Sequence, residues 1–246
     1  MLHENLVIIP TYKEKENIEK IIRYVFQLST EFHILIIDDN SPDGTANIVK
    51  ELMKEFVGKL HLVERPGKLG LGTAYITGFK WALENNYSYI FEMDADFSHN
   101  PDDLSRLYEA CKNGADMAIG SRYSIGINVV NWPLKRVLMS YFASLYVRIV
   151  TGMPVHDSTA GFVCYTNKLL KTIDLDNIRM KGYGFQIEMK YTAWKHKAKI
   201  KEVSIVFIDR QEGTSKMSGG IFSEALFGVV KMKWRSLFKK YNRISA

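Results

Sequence analysis

The chain has 246 residues, of which 46% are hydrophobic and 24% are charged, a balance that suits one large globular domain with an apolar core. Its net charge of +6 favours anionic partners, namely nucleic acid, phosphorylated small molecules or an anionic membrane surface. Cys111 and Cys164 lie far apart, so they indicate neither a disulfide framework nor a zinc site, and a reducing compartment is expected. We find no secretory signal and no stretch of roughly 18 apolar residues, which disfavours a membrane span.

The first 123 residues contain apolar runs that alternate with amphipathic stretches. Short runs rich in branched and aromatic side chains predict buried strands, and apolar residues at helical spacing predict the helices between them. The predicted strands cover residues 5–12, 33–40, 60–64, 89 to the acids at 94 and 96, and 115–123, and the helices cover 14–28, about 48–56, 72–83 and 101–111. This alternation implies the α/β class, with right-handed crossovers and a mainly parallel central sheet that carries helices on both faces.

The rhythm of the sequence changes after residue 123. We expect a loop through Pro133 and then further elements that finish the core. These are a long apolar helix at about 136–150, a short strand at 162–165, a helix at 183–195, a strand at 200–208 and an amphipathic basic helix at 221–241. The sequence contains no internal repeat and no low-complexity tract. It also contains no linker long enough to separate two independent domains.

Two carboxylates, Asp94 and Asp96, end the fourth predicted strand. Open α/β sheets bind ligands at the carboxyl ends of their strands, and side chains two apart in an extended segment point the same way. Both carboxylates can therefore face one hard cation and the diphosphate that it holds. The alternative is that Asp96 only starts an Asx turn. The scattered histidines support neither a zinc site nor a serine triad, and His99 is either a supporting group or a surface residue.

The glycine-rich loop at residues 65–72 precedes a predicted helix, where backbone amides can approach an anion. Counting excludes two familiar phosphate-binding loops. A P-loop would need lysine where Thr73 stands, and a dinucleotide fingerprint would need glycine where Tyr75 stands. The loop is either a nucleotide contact through Lys68 or a plain strand-to-helix turn.

Other charged residues are expected near the same edge of the sheet. Asp38 and Asp39 end the second strand, where one of them can bind a base or a ribose hydroxyl or can cap a helix. Arg122 ends the fifth strand, where it either binds phosphate in bidentate fashion, which arginine does better than lysine, or is a surface arginine. In the distal loop, Arg210 and Lys216 either close over a bound diphosphate or belong to a solvated basic loop.

Eight segments, in this order and at these spacings, carry a resemblance to a known family. They are Pro-Thr-Tyr-Lys-Glu at 10–14, Asp-Asp-Asn-Ser-Pro-Asp-Gly-Thr at 38–45, Gly-Leu-Gly-Thr-Ala at 70–74, Met-Asp-Ala-Asp-Phe-Ser-His at 93–99, Gly-Ser-Arg-Tyr at 120–123, Asp-Ser-Thr-Ala-Gly-Phe at 157–162, Lys-Gly-Tyr at 181–183 and Arg-Gln-Glu-Gly-Thr-Ser-Lys at 210–216. Over nearly its whole length the chain resembles the inverting family 2 glycosyltransferases of the GT-A fold, the family that includes dolichol-phosphate mannose synthase. The last three segments narrow the resemblance to polyprenyl-phosphate sugar synthases.

The resemblance implies transfer of mannose from GDP-mannose to a polyprenyl phosphate, with inversion and with Mg²⁺ or Mn²⁺ as cofactor. A phosphate monoester has a second pKa of about 6, so this nucleophile needs no general base. The residues implied to contact the donor are Pro10, Tyr12, Glu14, Asp39, Lys68, Asp94, Ala95, Asp96, Arg210 and Lys216. Those implied to hold the metal are Asp94, Asp96 and Ser98, those for the acceptor phosphate are Arg122, Lys181 and Ser158, and the catalytic group is Asp94, Asp96 and Arg122.

Two positions depart from the family pattern. Lys13 replaces the asparagine usual in the first segment, and Ser98 stands where some relatives place a metal-binding glutamine. The resemblance also implies a division of the chain. We expect a GT-A catalytic domain at 1–216, with a donor-binding half at about 1–123 and an acceptor half at about 124–216, followed by a C-terminal amphipathic helix at 217–246.

The predicted C-terminal helix combines apolar and basic side chains, a composition suited to an anionic membrane interface. The apolar residues are Ile221, Phe222, Leu226, Phe227, Val230, Trp234 and Phe238, and the basic ones are Lys231, Lys233, Arg235, Lys239 and Lys240. Packing against the core, or docking on a membrane-spanning partner, is the alternative. We therefore expect a cytoplasmic protein that is peripheral to a membrane.

Other functions compete with mannosyl transfer. One is a related family 2 enzyme that uses UDP-glucose or another sugar nucleotide. Another is a noncatalytic nucleotide-sugar-binding subunit, which is disfavoured because both carboxylates and the phosphate-binding cations are present. Nucleic acid is not an expected partner, since the basic residues are dispersed and no recognised motif occurs.

Overall fold

The computed structural model describes residues 4–180, 182–209, 220–238 and 240–244, without the side chains of residue 183 and residues 220–226. The strands are β1 (Asn5–Thr11), β2 (His33–Asp38), β3 (Leu60–Glu64), β4 (Tyr89–Glu92), β5 (Met117–Ser121), β6 (Val129–Val130), β7 (Val163–Thr166), β8 (Ile200–Ser204) and β9 (Phe207–Ile208). The helices are α1 (Ile18–Phe26), α2 (Thr45–Glu55), α3 (Leu71–Glu84), α4 (Asp103–Lys112), α5 (Leu134–Thr151), α6 (Asn167–Thr172), α7 (Tyr183–Lys195) and α8 (Gly220–Ser236).

Seven of the strands form one sheet in the order β3-β2-β1-β4-β7-β5-β8. Neighbouring strands are parallel except at β7, which runs antiparallel to both β4 and β5. The mainly parallel sheet predicted from the alternation of strands and helices is therefore confirmed. The reversed direction of β7 is the feature that the alternation did not indicate.

Alternate residues of the strands enter two hydrophobic clusters, one on each face of the sheet. In β1, Leu6 and Ile8 belong to one cluster, and Val7 and Ile9 belong to the other. Helices α3, α5, α6, α7 and α8 contribute to the cluster of Leu6, whereas α1, α2 and α4 contribute to the cluster of Val7. Because successive side chains of a strand point to opposite faces, a sheet covered on both faces needs continuous apolar runs.

The predicted strand at residues 200–208 is divided in the structure. β8 ends at Ser204, and β9 pairs in parallel with β6 in a separate two-stranded sheet. The ring of Phe207 contacts the rings of Trp132 and His99, with centroids 5.2 and 5.5 Å apart. These contacts join residues distant in sequence, so the local pattern of residues could not predict that the chain leaves the main sheet here.

One side of α8 packs against the core. Val229 and Met232 are buried in the cluster of Leu6, and the hydroxyls of Ser236 and Tyr191 lie 2.7 Å apart. The helix ends at Ser236, earlier than the predicted boundary at residue 241. Within the described residues we find no helix with the length and apolarity of a membrane span. The division of the chain at residue 216 stays a prediction.

Close packing of α3 on β1 yields a first prediction. A Cβ at Gly78 would lie 2.7 Å from Cγ2 of Ile8, so Gly78→Ala forces a shift in the core. Overpacking costs about 1–3 kcal/mol, which exceeds the roughly 1 kcal/mol that alanine gains over glycine in a helix. We expect urea denaturation to give a lower free energy of unfolding for Gly78→Ala. Gly67→Ala is the control, because no atom lies within 4 Å of its Cβ position; equal stability of the two variants would contradict the packing argument.

Candidate functional site

The carboxyl ends of β1, β2, β4 and β5 lie along one edge of the sheet, and β7 begins at the same edge. Glu92 at the end of β4 pairs with Val163 at the start of β7, and Gly120 of β5 donates its N–H to the carbonyl of Phe162 at 2.8 Å. This edge therefore collects the residues that follow the four strands. It also receives residues 157–161, which precede β7 and which we call segment 157–161.

The two predicted metal ligands, Asp94 and Asp96, are half-buried at this edge, and Ala95 is buried between them. The Oδ1 atom of Asp96 accepts hydrogen bonds from the backbone N–H of Ser98 at 3.1 Å and from its hydroxyl at 2.6 Å. The Asx turn considered from the sequence is thus present. The turn fixes the direction of the Asp96 carboxylate, to which the Ser98 hydroxyl donates its hydrogen bond. Direct metal binding by Ser98 stays a prediction.

His99 is a buried support of this turn, not a surface residue. Its ring stacks on Phe162, with centroids 4.8 Å apart, and its Nδ1 atom accepts the N–H of Asp94 at 3.3 Å. Burial lowers the pKa of the His99 imidazole to about 4, although the nearby charge of Asp96 opposes the shift. The ring is therefore neutral at neutral pH, as an acceptor at Nδ1 requires.

The hydroxyl of Tyr75, on α3, is completely buried and has no hydrogen-bond partner among the described residues. Burial first, and the charge of Asp94 second, raise the pKa of this phenol, so it stays a neutral donor. A buried donor without a partner costs about 1–3 kcal/mol. The hydroxyl lies near the charges of Asp94 and Asp96, so an acceptor atom of a ligand bound there would satisfy it.

Glu92, which ends β4 two residues before Asp94, is fully buried. Burial raises the pKa of its carboxyl to about 8, whereas the charge of Lys190 opposes that shift. The amide Nε2 of Gln186 on α7 donates to Glu92 Oε2 at 2.6 Å. The sequence analysis did not single out Glu92, Gln186 or Lys190. The signal available in the sequence was Glu92 as the charged end of an apolar strand, whereas α7 mixes polar and apolar residues and gave no signal for Gln186 or Lys190.

At the carboxyl end of β2, the two aspartates have separate partners. Asp38 is buried and accepts hydrogen bonds from the hydroxyls of Thr11 at 2.7 Å and Ser41 at 2.6 Å. Asp39 accepts the Nε–H of Arg65 at 2.6 Å, and this arginine is also buried. If Asp39 contacts the sugar-nucleotide donor as predicted, it does so while its carboxylate stays paired with Arg65. The role of Arg65 could not be predicted from the sequence, because Arg65 follows β3 whereas its partner Asp39 follows β2.

Four other residues predicted to contact the sugar-nucleotide donor lie near the ends of β1 and β3. Pro10, Tyr12 and Glu14 are partly exposed there. Lys68 extends toward Tyr12, with Nζ 5.1 Å from the centre of the ring. The structure thus brings the glycine-rich loop to the first predicted segment. Arg210 and Lys216, also predicted to contact the donor, lie outside the described residues.

Arg122 is buried and bound by a carboxylate, so it is not the open cation expected at the edge. Its Nε and NH2 groups donate to the two carboxylate oxygens of Asp157 at 2.7 and 2.6 Å, and NH2 also donates to the Thr159 hydroxyl at 2.8 Å. Burial raises the pKa of Asp157, but the charge and hydrogen bonds of Arg122 outweigh it and lower that pKa overall. In this structure Arg122 holds segment 157–161, and its contact with acceptor phosphate stays a prediction.

The two other residues predicted to bind the acceptor phosphate are Ser158 and Lys181. Ser158 is completely buried, and its hydroxyl lies 3.4 Å from that of Ser144 on α5. A phosphate cannot reach this hydroxyl without a rearrangement. Lys181 lies outside the described residues.

Arg136 is a further cation that sequence analysis missed. Its guanidinium carbon lies 4.0 Å from the ring centre of Trp132, and that of Arg122 lies 5.4 Å from the same ring. Arg136 also donates to both carboxylate oxygens of Asp209 at 2.9 Å. One indole therefore gathers two guanidinium groups beside segment 157–161. The available signal was an arginine in the first turn of a predicted helix that carries few other charges.

The donor set at the edge suits a cation that a ligand helps to hold. Among the described residues no group of three or more His, Cys, Asp or Glu side chains could bind a metal ion alone. Mg²⁺ is usually held by one or two carboxylates together with substrate phosphates and water. Asp94 and Asp96, which are half-buried and lie two residues apart, fit this arrangement.

Comparison with known proteins agrees with this geometry. Residues 6–176 match the family described as Glycosyl transferase family 2. The polyprenol monophosphomannose synthase of Mycolicibacterium smegmatis is 46% identical over 92% of this chain and 85% of its own length. The undecaprenyl-phosphate mannosyltransferase of Micrococcus luteus is 43% identical over 94% of this chain and 96% of its own length.

A solved structure shares the fold at low sequence identity. Glucosyl-3-phosphoglycerate synthase from Mycobacterium tuberculosis, in complex with Mn²⁺, UDP and glucosyl-3-phosphoglycerate, aligns with a TM-score of 0.67 and 15% identity, covering 94% of this chain and 80% of that one. This similarity supports the GT-A fold alone. Taken with the family match and the two relatives, it leads to one conclusion: the chain belongs to glycosyltransferase family 2 and is a glycosyltransferase.

Proposed function

We propose that this enzyme transfers mannose from GDP-mannose to the phosphate of a polyprenol, with inversion at the sugar carbon. The observation that carries the proposal is the naming of two relatives, at 46% and 43% identity, as a polyprenol monophosphomannose synthase and an undecaprenyl-phosphate mannosyltransferase. Both matches extend over segment 157–161 and the cations around it, because each covers more than nine-tenths of this chain.

The donor is assigned to the side of the edge formed by β1, β2 and β4. Tyr12, Glu14 and Lys68 are proposed to contact the guanosine, and Asp39 is proposed to contact the ribose while Arg65 fixes its carboxylate. A different sugar nucleotide, such as UDP-glucose, is the competing donor, and the solved relative binds UDP. The residues of the first segment support guanosine through the family resemblance.

A divalent ion is proposed to be held by Asp94 and Asp96 together with the donor diphosphate. When bound, it supplies positive charge that stabilises the diphosphate as it leaves. The chain's own part is to orient the ligands. Ser98 fixes Asp96, and neutral His99 fixes the backbone at Asp94.

The proposed reaction is a direct displacement. A phosphate oxygen of the polyprenyl phosphate forms a bond to the anomeric carbon of mannose, while the bond from that carbon to the oxygen of the GDP β-phosphate breaks and GDP leaves. The nucleophile is already ionised near neutral pH, so no side chain has to accept a proton. The main obstacle is repulsion between two anionic substrates. Arg122 and Arg136 are proposed to offset it, together with Lys181, Arg210 and Lys216.

The proposed donor and acceptor can be tested together. With GDP-[¹⁴C]mannose, polyprenyl phosphate and Mg²⁺ or Mn²⁺, we expect label in the organic phase, and unlabelled GDP should compete better than UDP. Asp96→Asn retains an oxygen for the Asx turn but loses the charge, so we expect turnover to fall by about 10²–10³-fold with the fold intact.

Asp176→Asn is the matched control, since this carboxylate lies on the surface, where it pairs with Lys80. We expect it to retain full activity. Absence of any transfer by the wild type would support a noncatalytic subunit, and transfer from UDP-glucose alone would support the competing donor. Normal turnover by folded Asp96→Asn would contradict the metal assignment.

The acceptor is a lipid, so we propose that the exposed apolar sides of α5 and α8 contact the membrane. In α5, Leu134, Phe142 and Ile149 lie along one exposed stripe, and in α8, Phe227 and Trp234 do the same. The two helices pack against each other. Exposed apolar surface beside basic residues suits an anionic interface. The basic residues among the described part of the two helices are Lys135, Arg136, Arg148, Lys231, Lys233 and Arg235.

Flotation with anionic liposomes tests this surface. We expect the wild type to float and the double variant Phe227→Ser/Trp234→Ser to partition at least about tenfold more weakly, because burial of each ring contributes about 1.5–3 kcal/mol. Val57→Ser is the control, since Val57 is 77% exposed on another part of the molecule. Equal flotation of the double variant would contradict this surface, and lack of flotation by the wild type would favour a membrane-spanning partner protein.

A further inference from the structure

Lys190 is a completely buried lysine on α7, a helix buried on all sides between residues 184 and 193. Its Nζ atom donates to the carbonyl of Ala160 at 2.6 Å and to Oε1 of Gln186 at 3.1 Å. Burial lowers the pKa of its ammonium group to about 8, while the charges of Glu92 and Asp157 act in the opposite direction. A buried lysine is costly and rare, so its contacts call for an account beyond general packing.

Gln186 connects Lys190 with the acidic end of β4. Its amide nitrogen donates to Glu92 at 2.6 Å, and its amide oxygen accepts from Lys190. This orientation is fixed, because a flipped amide would set its N–H groups against the lysine and its oxygen against the carboxylate. A continuous chain of hydrogen bonds therefore runs from Glu92 through Gln186 and Lys190 to Ala160.

Segment 157–161 contains no regular secondary structure, so side chains have to hold its backbone. Arg122 binds the Asp157 carboxylate, and Glu202 on β8 accepts the N–H groups of His156 at 2.9 Å and Asp157 at 3.0 Å. These contacts fix the beginning of the segment. Near the end of the segment, the carbonyl of Ala160 accepts a hydrogen bond from the side chain of Lys190.

We propose that Lys190 is a positioning residue that fixes the end of segment 157–161 relative to β4 and thereby sets the affinity for the acceptor phosphate. The inference rests on the proposed function, because it takes segment 157–161 as the acceptor side of the site. Lys190 itself touches no substrate in this account. The competing account is that Lys190 serves only as the counter-ion of buried Glu92.

The two accounts differ in a double variant. Lys190→Met removes the hydrogen-bond donor and leaves the buried carboxyl of Glu92 without a nearby cation, whereas Glu92→Gln/Lys190→Met replaces that carboxyl with a neutral amide. We expect the single variant to unfold at lower temperature and to show a KM for polyprenyl phosphate that is raised about tenfold, with an upper limit of about a hundredfold set by the lost hydrogen bond between a charged donor and segment 157–161. The KM for GDP-mannose should stay within about twofold, because the donor side retains its contacts.

In the double variant we expect the thermal stability to recover while the KM for polyprenyl phosphate stays high. Return of that KM to the wild-type value would identify Lys190 as a counter-ion only and would overturn the proposal. An equal rise in both KM values would overturn it as well. Lys195→Met, on the same helix but partly exposed, is the control and should match the wild type.

Hydrogen exchange separates failure of this inference from failure of the proposed function, since it needs no substrate. We expect the amides of residues 157–161 to exchange faster in Glu92→Gln/Lys190→Met, while those of β1 and β2 stay protected. Unchanged protection of residues 157–161 would contradict the positioning role, even if the wild type proves to use another donor or acceptor.

Discussion

The reversed direction of β7 is the constraint on which the arrangement of this site depends. In a wholly parallel sheet, the chain reaches the functional edge only where strands end. Because β7 lies antiparallel between β4 and β5, it starts at that edge, and segment 157–161 enters beside the residues that follow the neighbouring strands. The acids at the end of β4 and the Arg122–Asp157 pair after β5 thus flank one strand, and a donor and an acceptor can be held on adjacent parts of one surface.

Buried ionisable side chains are concentrated around this reversed strand. Glu92, Lys190, Arg122 and Asp157 are all buried, and each contacts an element next to β7. A buried ion pair adds little net stability, because desolvation offsets most of the attraction. The burial of Arg122 and Lys190 is better explained by the hydrogen bonds that they donate to segment 157–161. Carbonyls and amides of an irregular segment need partners, and charged side chains fix them with short, directional hydrogen bonds.

The sequence predicted the elements well and their long-range partners poorly. Apolar periodicity placed β3 and α7 at their observed limits, and the position of Asp94 and Asp96 after a buried strand was predicted correctly. The ion pairs of Asp39 with Arg65 and of Arg122 with Asp157 were not predicted, because they join residues 26 and 35 positions apart. For the same reason Arg122 was expected to be an open phosphate ligand. The direction of β7 and the departure of β9 from the main sheet depend on tertiary contacts that no local pattern carries.

The carboxylates after β4 are proposed to share a divalent ion with the diphosphate of the donor, next to segment 157–161. A crystal structure with GDP and Mn²⁺, measured for anomalous scattering of manganese, tests it most directly. We expect one strong manganese peak in coordination contact with Asp94 or Asp96 and with a diphosphate oxygen, while the ion pair of Arg122 and Asp157 stays intact. GDP bound at this edge with the manganese peak elsewhere, or with no peak, would contradict it.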